Sequence, residues 1–173
     1  MARRSAPKSA SGLSPEQEQT WFAYMRVALR LNYEINCDLH ASSSLSHADF
    51  HVLNALADSP GRHLLVGDLA VRIGWERSRM SHQLLRMEKR GLVSRQTSET
   101  DARATDVRLT DQGWHELRAA TPRHANLVKE LFFDGLDPQL LAPLHAALDQ
   151  IHETVVRKGS LPPPPGHQTH WVD

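Results

Sequence analysis

Residues 78–92, SRMSHQLLRMEKRGL, carry the most informative pattern of the chain. Met80, Leu84 and Met87 recur at i, i+4 and i+7, so they form one apolar stripe on a helix. Gly91 falls where such a helix can end in a left-handed turn. The remaining face collects cations and hydrogen-bond donors, namely Arg79, Ser81, His82, Gln83, Arg86 and Lys89. A solvated surface helix and a helix that binds DNA both fit this division, so the neighbouring segments must distinguish them.

The segments on both sides of this helix complete a larger motif. Residues 67–74, GDLAVRIG, predict a short helix that ends at the Gly74 turn. After the central helix, residues 92–96 and 105–109 are predicted as two short strands joined by a polar loop. A short helix, a tight turn and a second amphipathic helix form a helix-turn-helix, and a hairpin placed directly after it is a wing.

Longer helices are predicted before and after this motif. Residues 14–17, SPEQ, combine an N-cap serine, a proline at N1 and a glutamine at N3, and the helix is expected to run to about Leu39. Thr110 can cap a further helix, which Pro122 can kink and which continues through Phe133. The last helix is predicted from an apolar stripe, part of which is expected to pack within the chain: Leu140, Leu144, Leu148, Ile151 and Val155.

Composition and charge narrow the class of protein. The chain has 173 residues, of which 40% are apolar, so a sizeable core is possible. Its formal net charge is zero, but residues 72–95 hold seven cations against two acids. A neutral protein with such a zone can still present an anion-binding face. Overall neutrality argues against a non-regulatory architectural DNA-binding protein, since that class is usually basic throughout.

Other features bear on the cellular location. Cys37 is the one cysteine, so no intramolecular disulfide can form and a reducing cytoplasm is the expected environment. The basic N-terminus lacks the apolar region of a secretory signal, and no apolar run approaches the length of a membrane span. No Gly-rich phosphate loop, nucleophile elbow or paired metal motif is present, so no catalytic residue, cofactor or enzyme activity is expected.

The chain resembles the MarR family of bacterial transcription regulators in three stretches. They are LSHADFHVLNAL, LLVGDLAVRIGWERSRMSHQLLRMEKRGLVSR and DARATDVRLTDQG, in that order and spacing. The resemblance covers roughly residues 14–158. It implies a mainly α fold, a winged helix-turn-helix whose N- and C-terminal helices form a dimerisation region. It also implies a homodimer, usually a repressor, that releases DNA when a small molecule binds or the protein is oxidised.

The residue patterns and this resemblance divide the chain into five segments. They are a disordered basic arm (1–13), a dimerisation helix (14–44), a winged helix-turn-helix DNA-binding domain (45–110), further dimerisation helices (111–158) and a disordered Pro-rich tail (159–173).

On this interpretation the helix from about Glu76 to Arg90 enters the major groove of double-stranded DNA, N-terminal part first. Arg103 resembles the wing residue that reaches the minor groove, and Asp101 is expected to hold its guanidinium in a bidentate pair. A two-fold dimer would read an inverted repeat with half-sites ~10 bp apart. The predicted DNA-binding residues are Arg77, Ser78, Arg79, Ser81, His82, Gln83, Arg86, Lys89, Asp101 and Arg103.

The resemblance also implies an effector pocket between the first two helices and the helix after the wing. An aromatic or phenolic effector could stack on Trp or Tyr and pair with Arg or His. The candidates are Trp21, Tyr24, Arg26, His51 and His124.

Two alternatives stay open within the same fold. A metal-responsive regulator could use His51 and His124, with Cys37, His40 or His47 nearby, although no tight Cys/His spacing is present. A redox-responsive regulator would need a reactive Cys37. Asp38 beside it would not lower the pKa of a thiol, so Cys37 is expected to be a buried or semi-exposed bystander.

Overall fold

The computed structural model describes residues 12–98 and 101–163. Most of the predicted basic arm and of the Pro-rich tail, and two residues of the wing loop, lie outside these ranges. The elements in chain order are α1 (Pro15–Ser42), α2 (His47–Ala57), a 3-10 turn (Pro60–Arg62), β1 (His63–Leu65), α3 (Val66–Ile73), α4 (Arg77–Lys89), β2 (Val93–Thr97), β3 (Thr105–Leu109), α5 (Asp111–Val128), a π-helical turn (Lys129–Phe133), a second 3-10 turn (Pro138–Leu140) and α6 (Leu141–Lys158).

The predicted helix start at residue 14 is confirmed as a capping box. The Ser14 hydroxyl accepts the backbone N–H of Gln17, and the Gln17 side chain accepts the backbone N–H of Ser14. α1 continues to Ser42, slightly past the expected end. Within it only Ile35 and Leu39 are buried, so α1 joins the core near its C-terminal end and its N-terminal half extends away.

The helix-turn-helix is built as the sequence predicts. Gly74 adopts the left-handed conformation (φ 76°) that ends α3, and the Trp75 N–H donates to the Ala70 carbonyl at 2.8 Å. α4 then turns its stripe inward, where Met80, Leu84 and Met87 are fully buried. The core they enter also holds Leu53, Leu56, Leu69, Leu92, Val107 and Leu117.

The two strands of the wing, β2 and β3, belong to a three-stranded antiparallel sheet in the order β1-β3-β2. Val93 pairs with Leu109 at the base of the hairpin and Thr97 pairs with Thr105 towards its tip. β2 begins one residue later than predicted, at Val93, while β3 has the predicted bounds.

The start of α5 is tied to the end of α4. The Thr110 hydroxyl accepts the Gly113 N–H at 3.0 Å and donates to the Gly91 carbonyl at 2.6 Å. A Cβ at Gly113 would lie 2.1 Å from the Leu92 carbonyl oxygen, so a larger residue cannot fit without displacing the backbone. α5 keeps its helical backbone through Pro122 to Val128, and the irregular part is the π-helical turn that follows.

The last helix differs from expectation. Part of its apolar stripe was expected to pack within the chain, but no residue of α6 is buried. Ile151 and Val155 are 60% and 61% exposed. Among the described residues, α6 mainly contacts the adjoining 3-10 turn, and Leu144 of the stripe is half-buried. None of the described helices is both long and apolar enough to cross a membrane.

Candidate nucleic-acid interface

The outer face of α4 is a cationic surface formed because the apolar stripe turns the opposite way. Ser81 is half-buried and its hydroxyl donates to the Arg77 carbonyl at 2.9 Å. The other predicted DNA-binding residues on this face are exposed: Arg77, Ser78, Arg79, His82, Arg86 and Lys89. Arg77, Ser78 and Arg79 lie in the first turn of α4, His82 follows near its middle, and Arg86 and Lys89 lie in its last turn.

Ion pairs within the chain determine which cations of residues 72–95 remain available to bind an anion. Three of its seven cations are paired within the chain: Arg72 with Asp58, Arg90 with Asp49, and Arg95 with Glu88. Arg77, Arg79, Arg86 and Lys89 have no ion pair with the described residues. The unneutralised charge is therefore concentrated on α4, on the face that lies away from the core.

Trp75 orders one of these cations. The guanidinium carbon of Arg79 lies 4.2 Å from the centre of the Trp75 ring, and Trp75 itself packs against the core. A cation over an aromatic face is attracted by the ring quadrupole. Sequence reasoning missed Trp75, and because Trp75 precedes the start of α4, helical spacing gave no signal for this contact.

The structure corrects the expectation for Gln83, which was assigned to DNA contact. Gln83 is only 4% exposed, and both ends of its amide are occupied. Its Nε2 donates to Asp49 Oδ1 at 2.6 Å, and its Oε1 accepts an N–H of Arg86. The available signal was its position, because residue 83 follows Met80 by three and falls beside Leu84 on the buried side.

The structure also corrects the predicted role of Asp101 in the wing. Arg103 and Asp101 are both described and exposed, and no ion pair joins their side chains. Asp101 Oδ1 instead accepts the backbone N–H of Arg103 at 2.9 Å, and the Asp101 carbonyl accepts the Ala104 N–H. Asp101 thus shapes the loop backbone and leaves the guanidinium of Arg103 pointing free of it.

The wing and α4 meet at a shallow cleft of about 240 Å³. Arg77 of α4 and Arg103 of the wing both line it, together with the first turn of α3. Asp68 and Asp101 lie on the same cleft, so it is not uniformly positive. Two cations predicted from distant parts of the sequence are therefore neighbours in space.

Comparisons with known proteins match this geometry. A sequence model described as "MarR family" matches residues 43–104. The transcriptional regulator HosA of Escherichia coli O127:H6 is 31% identical over 120 residues, which are 69% of this chain and 80% of HosA. Among solved structures, AbsC, a MarR family transcriptional regulator from Streptomyces coelicolor, is 32% identical with a TM-score of 0.76, over 83% of this chain and 96% of AbsC. The chain belongs to the MarR family.

A second solved relative is a MarR family regulator from the same organism, Sco3205, whose structure was determined in complex with DNA. It is 31% identical with a TM-score of 0.79, over 88% of this chain and 94% of that chain. The predicted mainly α, winged helix-turn-helix fold is confirmed. Because the MarR family and the relative HosA are transcriptional regulators, this MarR-family chain is a regulator and not an enzyme.

The predicted effector residues do not form one pocket within this MarR-family chain. Trp21 and Tyr24 lie together, with ring centres 5.4 Å apart, and each is about half exposed. His51 belongs to a different group near Asn36, whose side chain accepts the His47 N–H. Fifteen residues of straight helix, ~22 Å, separate position 21 from position 36. Arg26 is exposed on α1 between the two groups.

A cluster of three histidines lies where α2 meets α5. The His47 ring centre is 4.2 Å from that of His51 and 6.5 Å from that of His124, and His124 also packs 4.3 Å from Phe50. His124 is buried. Sequence reasoning identified His51 and His124 as pocket candidates but gave His47 only a subsidiary role.

The environment of this cluster keeps its rings neutral. Desolvation, reinforced by His51 and His124, lowers the pKa of His47 to about 4. Desolvation likewise lowers the pKa of His51. Desolvation and the neighbouring His51 lower the pKa of His124, while Asp38 opposes that shift. The three rings therefore offer neutral imidazole donors and acceptors at pH 7.

Two findings bear on the alternative sensing chemistries. Within residues 12–98 and 101–163, no group of three or more His, Cys, Asp or Glu side chains is arranged to hold a metal ion. Cys37, expected to be buried or semi-exposed, is exposed on α1 because it lies away from the Ile35–Leu39 stripe. Its hydrogen bond with Tyr33 raises the pKa of that phenol.

Proposed function

We propose that this MarR-family regulator binds an inverted-repeat operator as a homodimer, with α4 in the major groove and the wing loop in the minor groove. The observation that carries the proposal is the exposed cationic face of α4 beside Arg103 of the wing. The relative Sco3205, whose structure contains DNA, supports the choice of partner. In this proposal residues 45–110 bind DNA, and residues 14–44 and 111–158 dimerise.

The proposed contacts follow from side-chain chemistry. Arg77, Arg79 and His82 carry planar or forked donors suited to base edges, and Ser78 and Ser81 suit bases or phosphates. Arg86 and Lys89 lie further along α4 and are assigned to phosphates, which set the register of the protein on the duplex. Arg103 is assigned to the minor groove, where narrow A·T tracts concentrate negative potential.

The proposed dimer would cover apolar side chains that the chain leaves exposed at both of its helical ends. On α1 these include Trp21, Phe22, Tyr24, Val27 and Leu29, and on α6 Leu148, Ile151 and Val155. Large contiguous apolar patches on a soluble protein mark interaction sites. A second copy is the partner that the MarR family implies, and its two-fold symmetry would place two copies of α4 about one DNA turn apart.

We also propose that a small molecule, aromatic or phenolic, regulates DNA binding from the histidine cluster. Neutral His51 and His124 can donate to or accept from a phenol, and Phe50 beside His124 offers an apolar wall. Trp21, Tyr24 and Arg26 fit the proposed dimer surface better, because they lie far along α1 from this cluster. Repression is proposed as the mode of action, since a dimer on an operator blocks access to it.

A binding titration tests the proposal. The full chain is titrated against fluorescent DNA from upstream of its own gene and against an unrelated duplex, at several salt concentrations. We expect site-selective binding that is roughly 10³-fold or more tighter than on the unrelated duplex, and that weakens as salt rises. Weak and equal binding to both duplexes would contradict the proposed site-selective binding upstream of its own gene. No binding at low salt would overturn the proposal.

A further inference from the structure

Asp49 is a buried carboxylate that joins α2 to α4. Only 1% of the residue is exposed. Its Oδ2 accepts the backbone N–H and the hydroxyl of Ser46, both at 2.8 Å, and an N–H of Arg90 at 2.8 Å. Its Oδ1 accepts the Gln83 amide at 2.6 Å. A buried charge is tolerated when it accepts this many hydrogen bonds. Asp49 therefore holds the groups that bind it in fixed positions.

The position of Asp49 determines which way the Gln83 amide faces. A carboxylate only accepts hydrogen bonds and a guanidinium only donates them. The NH₂ of Gln83 must therefore face Asp49, and its carbonyl oxygen must face Arg86. No flipped amide satisfies both neighbours. The oxygen is consequently presented to the one DNA-facing cation that lies one helical turn further along α4.

We propose that Gln83 is a positioning residue for DNA binding: it touches no DNA, and it holds the guanidinium of Arg86 in the orientation in which Arg86 contacts a phosphate. This inference rests on the proposed function. A single bond from Gln83 leaves the other N–H groups of Arg86 for the phosphate. Ordering the side chain beforehand removes an entropy loss that a free side chain incurs on binding.

An amide suits this role better than the neighbouring residue types. A carboxylate at position 83 would face Asp49, a like charge, and would also neutralise the cation that is to meet DNA. An apolar side chain would leave Arg86 unrestrained and Asp49 short of one donor. Asp49 orients the Gln83 amide, and the amide oxygen in turn orients Arg86. Because the amide is neutral, Arg86 keeps its full positive charge.

The test is a double-mutant cycle on DNA binding by the full chain. Gln83→Met keeps the length of the side chain and removes its polar atoms, and Arg86→Ala removes the cation. On the operator, Gln83→Met is expected to weaken binding by about 3- to 10-fold in the otherwise natural chain. In the Arg86→Ala background it is expected to weaken binding by less than about 2-fold, because the group it positions is gone.

Lys89→Ala supplies the matched background. Lys89 is an exposed cation of the same helix and has no bond to Gln83. The loss caused by Gln83→Met is expected to persist in full when Lys89 is absent. Arg86→Ala alone is expected to reduce the slope of log K against log salt by about 0.9, the value for one phosphate contact. If Gln83→Met does not fold, Gln83→Asn replaces it, since the shorter amide cannot span Asp49 and Arg86.

The outcomes separate this inference from the function on which it rests. An equal loss from Gln83→Met in all three backgrounds, together with a lower thermal midpoint, would assign Gln83 a purely structural role and overturn the inference. Unchanged affinity and salt slope in Arg86→Ala would do the same, while operator binding by the natural chain would leave the proposed function standing. Failure of the natural chain to bind any duplex would overturn both.

Discussion

The winged helix-turn-helix lobe (residues 45–110) and the two terminal helices, α1 and α6, differ in how much of their apolar surface is buried. In the lobe, Met80, Leu84 and Met87 are fully buried, and the polar groups beside them are bonded to one another. In α6 no residue is buried, and half of α1 extends beyond the core. Most apolar groups of the lobe are therefore buried within one chain, whereas much of the apolar surface of the helical ends is exposed. The buried core thus lies mainly in the lobe, and the exposed apolar surface lies on the helices assigned above to the proposed dimer.

The largest effect is expected when charges are placed on α6, which tests its role in the proposed dimer. The double substitution Ile151→Glu and Val155→Glu is expected to abolish dimers and to weaken operator binding by about 100-fold or more, because each lobe then binds its half-site alone. Light scattering at micromolar concentration and the DNA titration measure the two effects. Gln150→Glu, off the apolar stripe of the same helix, is the control and should change neither. A variant that remains dimeric would show that α6 is not the interface.

The second largest effect is expected within the lobe. Gly113→Ala would place a Cβ against the Leu92 carbonyl oxygen, so the start of α5 must move away from the wing. We expect the free energy of unfolding to fall by about 2 kcal/mol. Urea denaturation followed by circular dichroism measures it. Gly135→Ala, where nothing lies within 4 Å of an added Cβ, is the control. Equal stability of the two variants would contradict the packing described for Gly113.

A smaller effect is expected at Arg103 of the wing, where a substitution should weaken DNA binding without changing stability. Arg103→Ala is expected to fold normally, because Asp101 holds the loop through the backbone of residue 103. Operator binding at physiological salt should weaken by about 10-fold, through loss of the minor-groove contact. Arg118→Ala, which removes an exposed cation of α5, is the charge-matched control. Unchanged affinity of Arg103→Ala would remove the wing from the proposed interface.

The smallest effect concerns the histidine cluster and pH. Because the pKa of His47 in the folded chain is about 4 and the unfolded value is 6.5, the folded state binds fewer protons between these values. Stability is therefore full above about pH 6.5 and is lost as the pH falls towards 4. His47→Gln should reduce that loss by about 1 kcal/mol, a value lowered because solvent partly screens this half-buried ring, in denaturant titrations across this range. His115→Gln, at an exposed position of α5, should leave the pH profile unchanged.

Local patterns predicted the fold well, because its determinants are short-range. The Met80–Leu84–Met87 stripe, the Ser14 cap and the Gly74 turn each depend on residues within one or two helical turns. The fate of Gln83 depended on Asp49, which is 34 residues away along the chain. Periodicity cannot show such a partner.

The same limit explains the other corrections. Whether Asp101 bonds a guanidinium or a backbone N–H depends on the loop conformation, which residue types alone do not define. Whether Trp21 and His51 share a pocket depends on the length and direction of α1. The exposure of most of the α6 stripe likewise depends on the positions of all the other described helices.

The length of α1 has a mechanical consequence. Its buried residues lie near the end that joins the lobe, and about 20 residues, ~30 Å of helix, separate Ile35 from the start at Pro15. α1 therefore acts as a lever arm with its fulcrum at the lobe. In the proposed dimer, a rotation of only about 5° at the fulcrum moves the far end by about 3 Å, close to the ~3.4 Å rise between successive phosphates of a DNA strand. In the proposed dimer, a small repacking beside His47 would therefore shift the far end of α1 by a distance comparable to one base step of the DNA.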